Sequence, residues 1–227
     1  MWTWHFSQTD EIPAALFPEI ARDILDVFND GMGQGEWNWS IDQIEKTFES
    51  SDILGLLKNE TGECGGYFFA TLPQETLFRK SVLWIDACSV RKALQRNGYF
   101  HQALEVIKHN FPALDFGFIG GRTQNPEVLR IFDRLSPSND YYPFEKPYSP
   151  QIMDFLKNNI ANEIKKPSEN NALNGSNGII RNAYWGSRLG DYQIDLGDER
   201  IRFFEAQLDK WQFNRDDGDA LIILKRL

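Results

Sequence analysis

The sequence predicts an α/β (α+β) protein, with a mixed central β-sheet flanked by helices. Three observations predict it. The hydrophobic period switches repeatedly between two and about 3.6 residues along the chain. Over residues 1–135 the elements run strand, helix, helix, strand, strand, strand, helix, strand, helix, an order that implies layered helices on a mixed sheet. A hydrophobic content of 41%, with 14% aromatic residues, supplies a sizeable core and excludes disorder over most of the length.

Residues 2–9, WTWHFSQT, alternate bulky and polar groups and form the first strand. From Ile12 to Phe28 the period lengthens, and Phe17, Ile20, Ala21, Ile24, Leu25 and Phe28 share one helical face. The run GMGQG, 31–35, ends that helix. Ser40 with Gln43 makes a capping box for a short helix bearing Ile41, Ile44 and Phe48. Residues 52–59 and 63–72, joined by Glu60-Thr61-Gly62, form a hairpin in which Gly65 and Gly66 mark a bulge or a close backbone approach. Residues 81–90, SVLWIDACSV, are nearly continuously apolar, the pattern of a strand covered on both faces.

After the loop RKALQRNG comes a helix with Phe100, Ala103, Leu104 and Ile107 on one face, then a strand at 114–121. Asn125 caps the next helix, with Pro126 at its first position and Val128, Ile131, Phe132 and Leu135 as its inner stripe. Residues 136–150 are a Pro- and Tyr-rich connection, 151–166 a helix, and 167–178 a mobile loop. Ile201, Phe204, Leu208 and Trp211 indicate a further helix, and DALIILKRL a closing strand. The whole reads as one domain over 1–227, a core at 1–135 and a C-terminal elaboration at 136–227 that completes the sheet.

Charge and cysteine content narrow the partners. With 24 Lys plus Arg against 33 Asp plus Glu, the net charge is −9, which argues against nucleic acid and draws cations. Two cysteines make no disulfide framework, and there is neither a membrane-length apolar run nor a secretory pattern at the N-terminus, so a cytoplasmic protein without a membrane partner is expected. His5, His101 and His109 lack metal-ligand spacing, so no metal is expected. Gly117, Gly120 and Gly121 mark strand irregularity rather than a nucleotide loop, since no Gly-Lys-Ser/Thr follows. A homodimer is left open.

The unit that carries chemistry is a buried strand, a polar loop and a helix: VLWIDACSV, RKALQRNG, YFHQALEVIKHN. A helix that opens directly after such a loop offers backbone N–H groups and the positive end of its dipole to a pyrophosphate. Gly98 permits close approach, and Arg91, Lys92 and Arg96 bring positive charge. Asp86 is the one charged side chain between Val82 and Val90 and must find partners there.

At these residues the chain resembles the GNAT superfamily of N-acetyltransferases. Gln95-Arg96-Asn97-Gly98-Tyr99-Phe100 follows the family's acetyl-CoA signature, Gln/Arg-x-x-Gly-x-Gly/Ala, with Phe100 in place of the last small residue and its ring expected to turn into the core. The resemblance implies a GNAT-like acyl-CoA N-acyltransferase fold with an extended C-terminal region, and acetyl-CoA as co-substrate. It implies that Cys88, Ser89 and Val90 pair with the pantetheine arm, the N–H of Cys88 facing the thioester carbonyl, and that Asn125 in RTQNP lies beside that arm. It also implies catalytic roles. Asp86 stands where some members carry a base, and serves as general base or orients a water relay; the alternative is a buried carboxylate bonded to neighbouring backbone N–H groups. Trp84 occupies the more familiar acidic position. Phe132 stands where the family's acid, a Tyr, is usual, and Tyr141 or Tyr142 are its candidate replacements. Cys88 as a nucleophile competes with the reading of a buried cysteine as a small hydrophobe. The expected acceptor is a small-molecule primary amine, in a pocket walled by Trp37, Trp39, Tyr141 and Tyr142, unless these aromatics are core. Set against the enzyme is a catalytically silent CoA-binding or protein-interaction member of the same fold.

Overall fold

The first 33 residues already show how the chain builds its layers: a strand, a short 3-10 turn held between Pro13 and Pro18, and a long helix. The structure is a computed structural model that describes residues 1–33, 39–137, 140–145, 148–160, 177–184, 186–192 and 194–227. The described chain is mixed α/β and groups into two units. One holds 1–33, 39–72 and 83–115; the other holds 73–82 and the described residues from Phe116 onward.

In the first unit, β1 (Trp2–Gln8), β2 (Ile53–Asn59), β3 (Cys64–Thr71) and β4 (Ser81–Val90, whose first two residues group with the second unit) pair antiparallel in chain order. Helix α1 (Phe17–Met32) packs on β3 and on α2 (Ile41–Ser50), and α3 (Tyr99–Asn110) packs on β1. The α1 stripe is Ile20, Ala21, Ile24, Val27 and Phe28; Leu25 is half-buried and Val27 is buried in its place. The α2 capping box is present, with Ser40 N–H donating to Gln43 Oε1 at 3.0 Å and Gln43 N–H to Ser40 Oγ at 3.3 Å.

Two features bear on the site, and the second departs from the sequence reading. Helix α1 ends within the 31–35 glycine run, as expected, at Met32 with Gly33 as its C-cap, and its last turn takes in Gly31. A Cβ at Gly31 would sit 2.5 Å from the Val90 carbonyl oxygen and 2.6 Å from Ser89 Oγ, so this glycine is where the helix presses on β4. And β4 is buried only from Val82 to Ile85; Asp86–Val90 are half-exposed. The bulge expected in the hairpin is at Gly65, since Leu57 faces Gly66 while Lys58 faces Cys64. A Cβ at Gly65 would lie 2.4 Å from the Trp2 ring.

In the second unit β8 (Ala220–Arg226) is central, pairing with β5 (Phe116–Thr123) along one edge and with β6 (Tyr141–Tyr142) and β7 (Ile179–Ile180) along the other, all antiparallel. Helix α4 (Pro126–Arg134) packs on α6 (Glu199–Lys210), β5 and β8. Its buried face is Pro126, Leu129 and Phe132, with Val128 and Ile131 turned partly outward. Asp198 caps α6 by accepting from Arg200 and Ile201 N–H at 2.8 and 3.2 Å. Helix α5 (Pro150–Phe155) continues into a π-helical turn over Leu156–Ile160; residues 161–166 of the expected helix, and the expected loop up to residue 176, lie outside the described residues. Among the described residues no helix is long and apolar enough to cross a membrane.

Candidate cofactor and catalytic site

The site begins at an irregularity in β4. Phe69 faces Ala87 and Ala70 faces Ile85, which leaves Asp86 as the extra residue of a β-bulge. Its Oδ2 accepts from Ser51 Oγ and from Thr71 Oγ1, each at 2.8 Å. Ser51 is the buried residue at the exit of α2, and Thr71 ends β3. The carboxylate thus finds hydroxyl partners, and it pins the bulge to two neighbouring elements. Beyond it Ala87, Cys88, Ser89 and Val90 continue the register with β3. Burial pushes the Cys88 thiol up to about 12, so at neutral pH this sulfur keeps its proton.

The loop after β4 is braced on both sides. Arg91 donates its N–H to the Gly65 carbonyl and its Nε to the Cys64 carbonyl, both at 2.8 Å. Lys92 N–H donates to Asp30 Oδ2 at 2.7 Å, and Gln95 Nε2 to the Gly31 carbonyl at 2.8 Å. The side chains of Arg91 and Gln95 are therefore spent on holding the loop to β3 and α1, while Gln95, Arg96, Asn97 and Gly98 remain exposed. Arg96 (φ +64°) and Gly98 (φ +77°) both adopt left-handed backbone. For a non-glycine residue that conformation costs about 1–2 kcal/mol, which Gly98 avoids and Arg96 bears.

Gly98 is the N-cap of α3, and a Cβ there would meet no atom within 4 Å. The first intrahelical bond runs from Gln102 N–H to the Gly98 carbonyl at 3.1 Å, so the first turn aims its N–H groups out of the helix end. Trp4 Nε1 donates to the Tyr99 carbonyl at 2.9 Å and fixes that end against β1. The Phe100 ring turns inward against Phe68, 6.1 Å between centroids, which leaves the outer side of the turn open despite the bulky residue. A fixed, open, positively polarised helix end beside exposed Arg96 and Lys92 suits a pyrophosphate.

The remaining candidates lie in the second unit. Asn125 caps α4, its Oδ1 accepting Glu127 N–H at 2.9 Å, while its own N–H donates to Thr123 Oγ1 at 2.9 Å. Tyr141 is fully buried among Phe144 and Phe204, and its hydroxyl donates to the Leu129 carbonyl at 2.9 Å. Tyr142 is buried against Tyr148. Burial pushes both phenols well above their ordinary range. Phe132 is core. The structure therefore groups Asp86, Cys88–Val90 and Gln95–Phe100 in the first unit and Asn125, Tyr141 and Tyr142 in the second. Trp39 is likewise core, between Phe28, Tyr67 and Phe69 of the first unit, and Trp37 lies outside the described residues.

Ser51 and Thr71 were not singled out in the sequence, and Gly31 only as part of the run that ends α1. The lone charge in an apolar strand signalled that Asp86 needs partners, but nothing local says that they come from 35 and 15 residues earlier.

No protein-family model matches the chain, and no curated protein matches it in sequence. Solved structures resemble it in backbone trace. Ard1 from Thermoplasma volcanium aligns over 99% of this chain and 97% of its own at 8% identity, with a TM-score of 0.49. The ribosomal-protein-S18-alanine N-acetyltransferase from Escherichia coli aligns over 99% and 94% at 10% identity, with a TM-score of 0.47. An aminoglycoside acetyltransferase from an uncultured soil metagenomic sample aligns over 66% and 99% at 19% identity, with a TM-score of 0.43.

Proposed function

We propose that the chain is an N-acetyltransferase of the GNAT type, moving the acetyl group of acetyl-CoA to the primary amine of a small molecule by direct attack in a ternary complex. The observation that carries this reading is the bulged, half-exposed end of β4 running into a braced loop and an open helix terminus at Gly98. The backbone of Arg96–Phe100 would hold the pyrophosphate, and Cys88–Val90 the pantetheine arm. Acetyl-CoA, when bound, supplies an activated thioester. The protein's part is to fix its position and to donate a hydrogen bond to the developing oxyanion, a role assigned to the Cys88 N–H. Asp86 is assigned as a positioning residue, because its Oδ2 already holds two hydroxyl donors.

A second reading, a CoA-binding member of the fold without turnover, is favoured by one specific feature. Phe132 stands at the acid's usual position, and the hydroxyl of Tyr141, one of its two candidate replacements, is committed to the Leu129 carbonyl. The test is calorimetric titration with acetyl-CoA, followed by release of free CoA thiol across a panel of small amines and basic peptides. Turnover with small amines supports the enzyme. Tight binding without turnover supports the second reading, and absence of acetyl-CoA affinity ends both.

A further inference from the structure

In the second unit a cavity of about 560 Å³ opens between the turn that leads into β4 and helix α5. That volume lies within the range of roughly 300–1,000 Å³ typical of small-molecule sites. Its floor is apolar, made by the buried Leu77 and Phe155. Exposed charges of both signs line it above that floor, Glu75 and Arg79 from the turn and Asp154 from α5. Among the described residues Arg79 and Asp154 form no ion pair, with each other or with any other group. Glu75 Oε2 accepts from Asn159 Nδ2 at 3.0 Å, and the same Nδ2 donates to the Phe155 carbonyl at 3.0 Å, which ties the turn to the helix.

Both walls are fixed in place. The turn closes with Leu77 N–H donating to the Lys80 carbonyl at 2.9 Å and Lys80 N–H to the Leu77 carbonyl at 3.0 Å. Its two central residues, Phe78 (φ +52°) and Arg79 (φ +62°), both take left-handed backbone, a strained conformation for any residue but glycine. The turn lies on β5, where the Phe78 ring stacks on Phe118 at 5.9 Å between centroids and a Cβ at Gly117 would come 2.5 Å from Lys80 Cβ. Phe78 nevertheless stays 45% exposed beside the cavity. On the other side Ser149 Oγ caps α5 by accepting Gln151 N–H at 3.2 Å, and Ile152 and Phe155 anchor the helix in the core. Charges of opposite sign are thus held on the two walls of one cavity, over an apolar floor, without neutralising each other. An ammonium group suits the carboxylates, a carboxylate suits the guanidinium fork, and an apolar group suits the floor.

We propose that this cavity binds a zwitterion of the amino-acid type, its ammonium on Asp154 and Glu75, its carboxylate on Arg79 and an apolar side chain over Leu77 and Phe155. The site lies wholly in the second unit and does not rest on the acetyltransferase reading, and its test uses no acetyl-CoA. Calorimetric titration of the full chain at constant ionic strength takes three probes: phenylalanine, phenylalaninol, which lacks the carboxylate, and N-acetylphenylalanine, which lacks the ammonium. Saturable binding of phenylalanine is expected, with each of the other two about tenfold weaker or more. D154N and R79Q should each weaken phenylalanine about tenfold or more. R79Q should leave phenylalaninol unchanged and D154N should leave N-acetylphenylalanine unchanged, a pattern that mere loss of structure would not give. D209N and K210Q, at exposed charges on α6 of the same unit, should alter nothing. Circular dichroism checks that the variants are folded. Absence of phenylalanine binding, equal affinity for either of the other probes, or equal loss in D209N or K210Q overturns the proposal.

Discussion

Ser51 donates its hydroxyl to Asp86 at 2.8 Å, and so ties the residue leaving α2 to the extra residue of the β4 bulge. Thr71 makes the same donation from the end of β3. One carboxylate oxygen therefore sets the geometry from which Cys88, Ser89 and Val90 are presented.

Replacing Asp86 by Asn tests that role. Hydrogen bonds to a charged group contribute roughly 1.5–3 kcal/mol each, so urea unfolding of D86N should show a loss of about that size. Acetyl-CoA affinity should drop about tenfold as the bulge relaxes, while the pH–rate profile keeps its shape. A rate loss of about 10²-fold, with one limb of the profile gone and affinity intact, would instead make Asp86 the base.

Gly98→Val places a β-branched residue at φ +77°. Space is not the obstacle, since a Cβ at this position would have no atom within 4 Å; backbone strain of about 1–3 kcal/mol is. Thermal unfolding should register that strain, and calorimetry a further loss of acetyl-CoA affinity, because the open face is where the ligand is expected to come close.

Gly31→Ala sets two effects against each other. Alanine is better than glycine inside a helix by about 1 kcal/mol. The new methyl, however, would lie 2.5 Å from the Val90 carbonyl oxygen, a backbone atom that cannot swing aside. Overpacking costs about 1–3 kcal/mol and should win, with the midpoint of urea unfolding falling.

How much of this was legible beforehand divides along a physical line. The Ser40–Gln43 box, the Gly65 bulge and the limits of β4 were readable because each is a local preference with its signal in the same few residues. The end of α1 was readable too, in the glycine run that supplies its C-cap at Gly33, whereas the contact of Gly31 with residues 58 and 59 positions later was not. β6 and β7, two residues each, carry no pattern of their own and exist through pairing with β8. The site divides the same way. The Gly98 turn was visible in sequence, and the hydroxyls on Asp86 were not, since they depend on distant segments meeting.

Tyr141→Phe separates a structural phenol from a catalytic one. Removing the hydroxyl leaves the buried Leu129 carbonyl without this donor, which should cost about 1–3 kcal/mol in unfolding free energy. The turnover number should be unchanged; a large fall in it would restore Tyr141 as the acid.

Cys88 predicts an alkaline limit. Its folded thiol is pushed up to about 12, against about 8.5 in an unfolded chain. The unfolded chain therefore loses this proton first as the pH rises. The contribution is intact below about pH 8.5 and is lost toward pH 12, by up to about 1.4 kcal/mol per pH unit. C88A should flatten the alkaline decline measured by denaturant titration, and native Cys88 should react slowly with iodoacetamide at pH 8.

The central place of β8 imposes an order on assembly. β5, β6 and β7 all pair with a strand that follows every one of them in the chain, and Phe118 finds its partner only at Arg226. A ribosome moving at about 5–20 residues per second would hold β5 unpaired with β8 for several seconds while the intervening hundred or so residues are made. The first unit, by contrast, has all its strands and helices by Asn110. Nascent chains halted before Ala220 should accordingly show a protease-resistant first unit and a second unit open to cleavage, so that removing one strand disarms three.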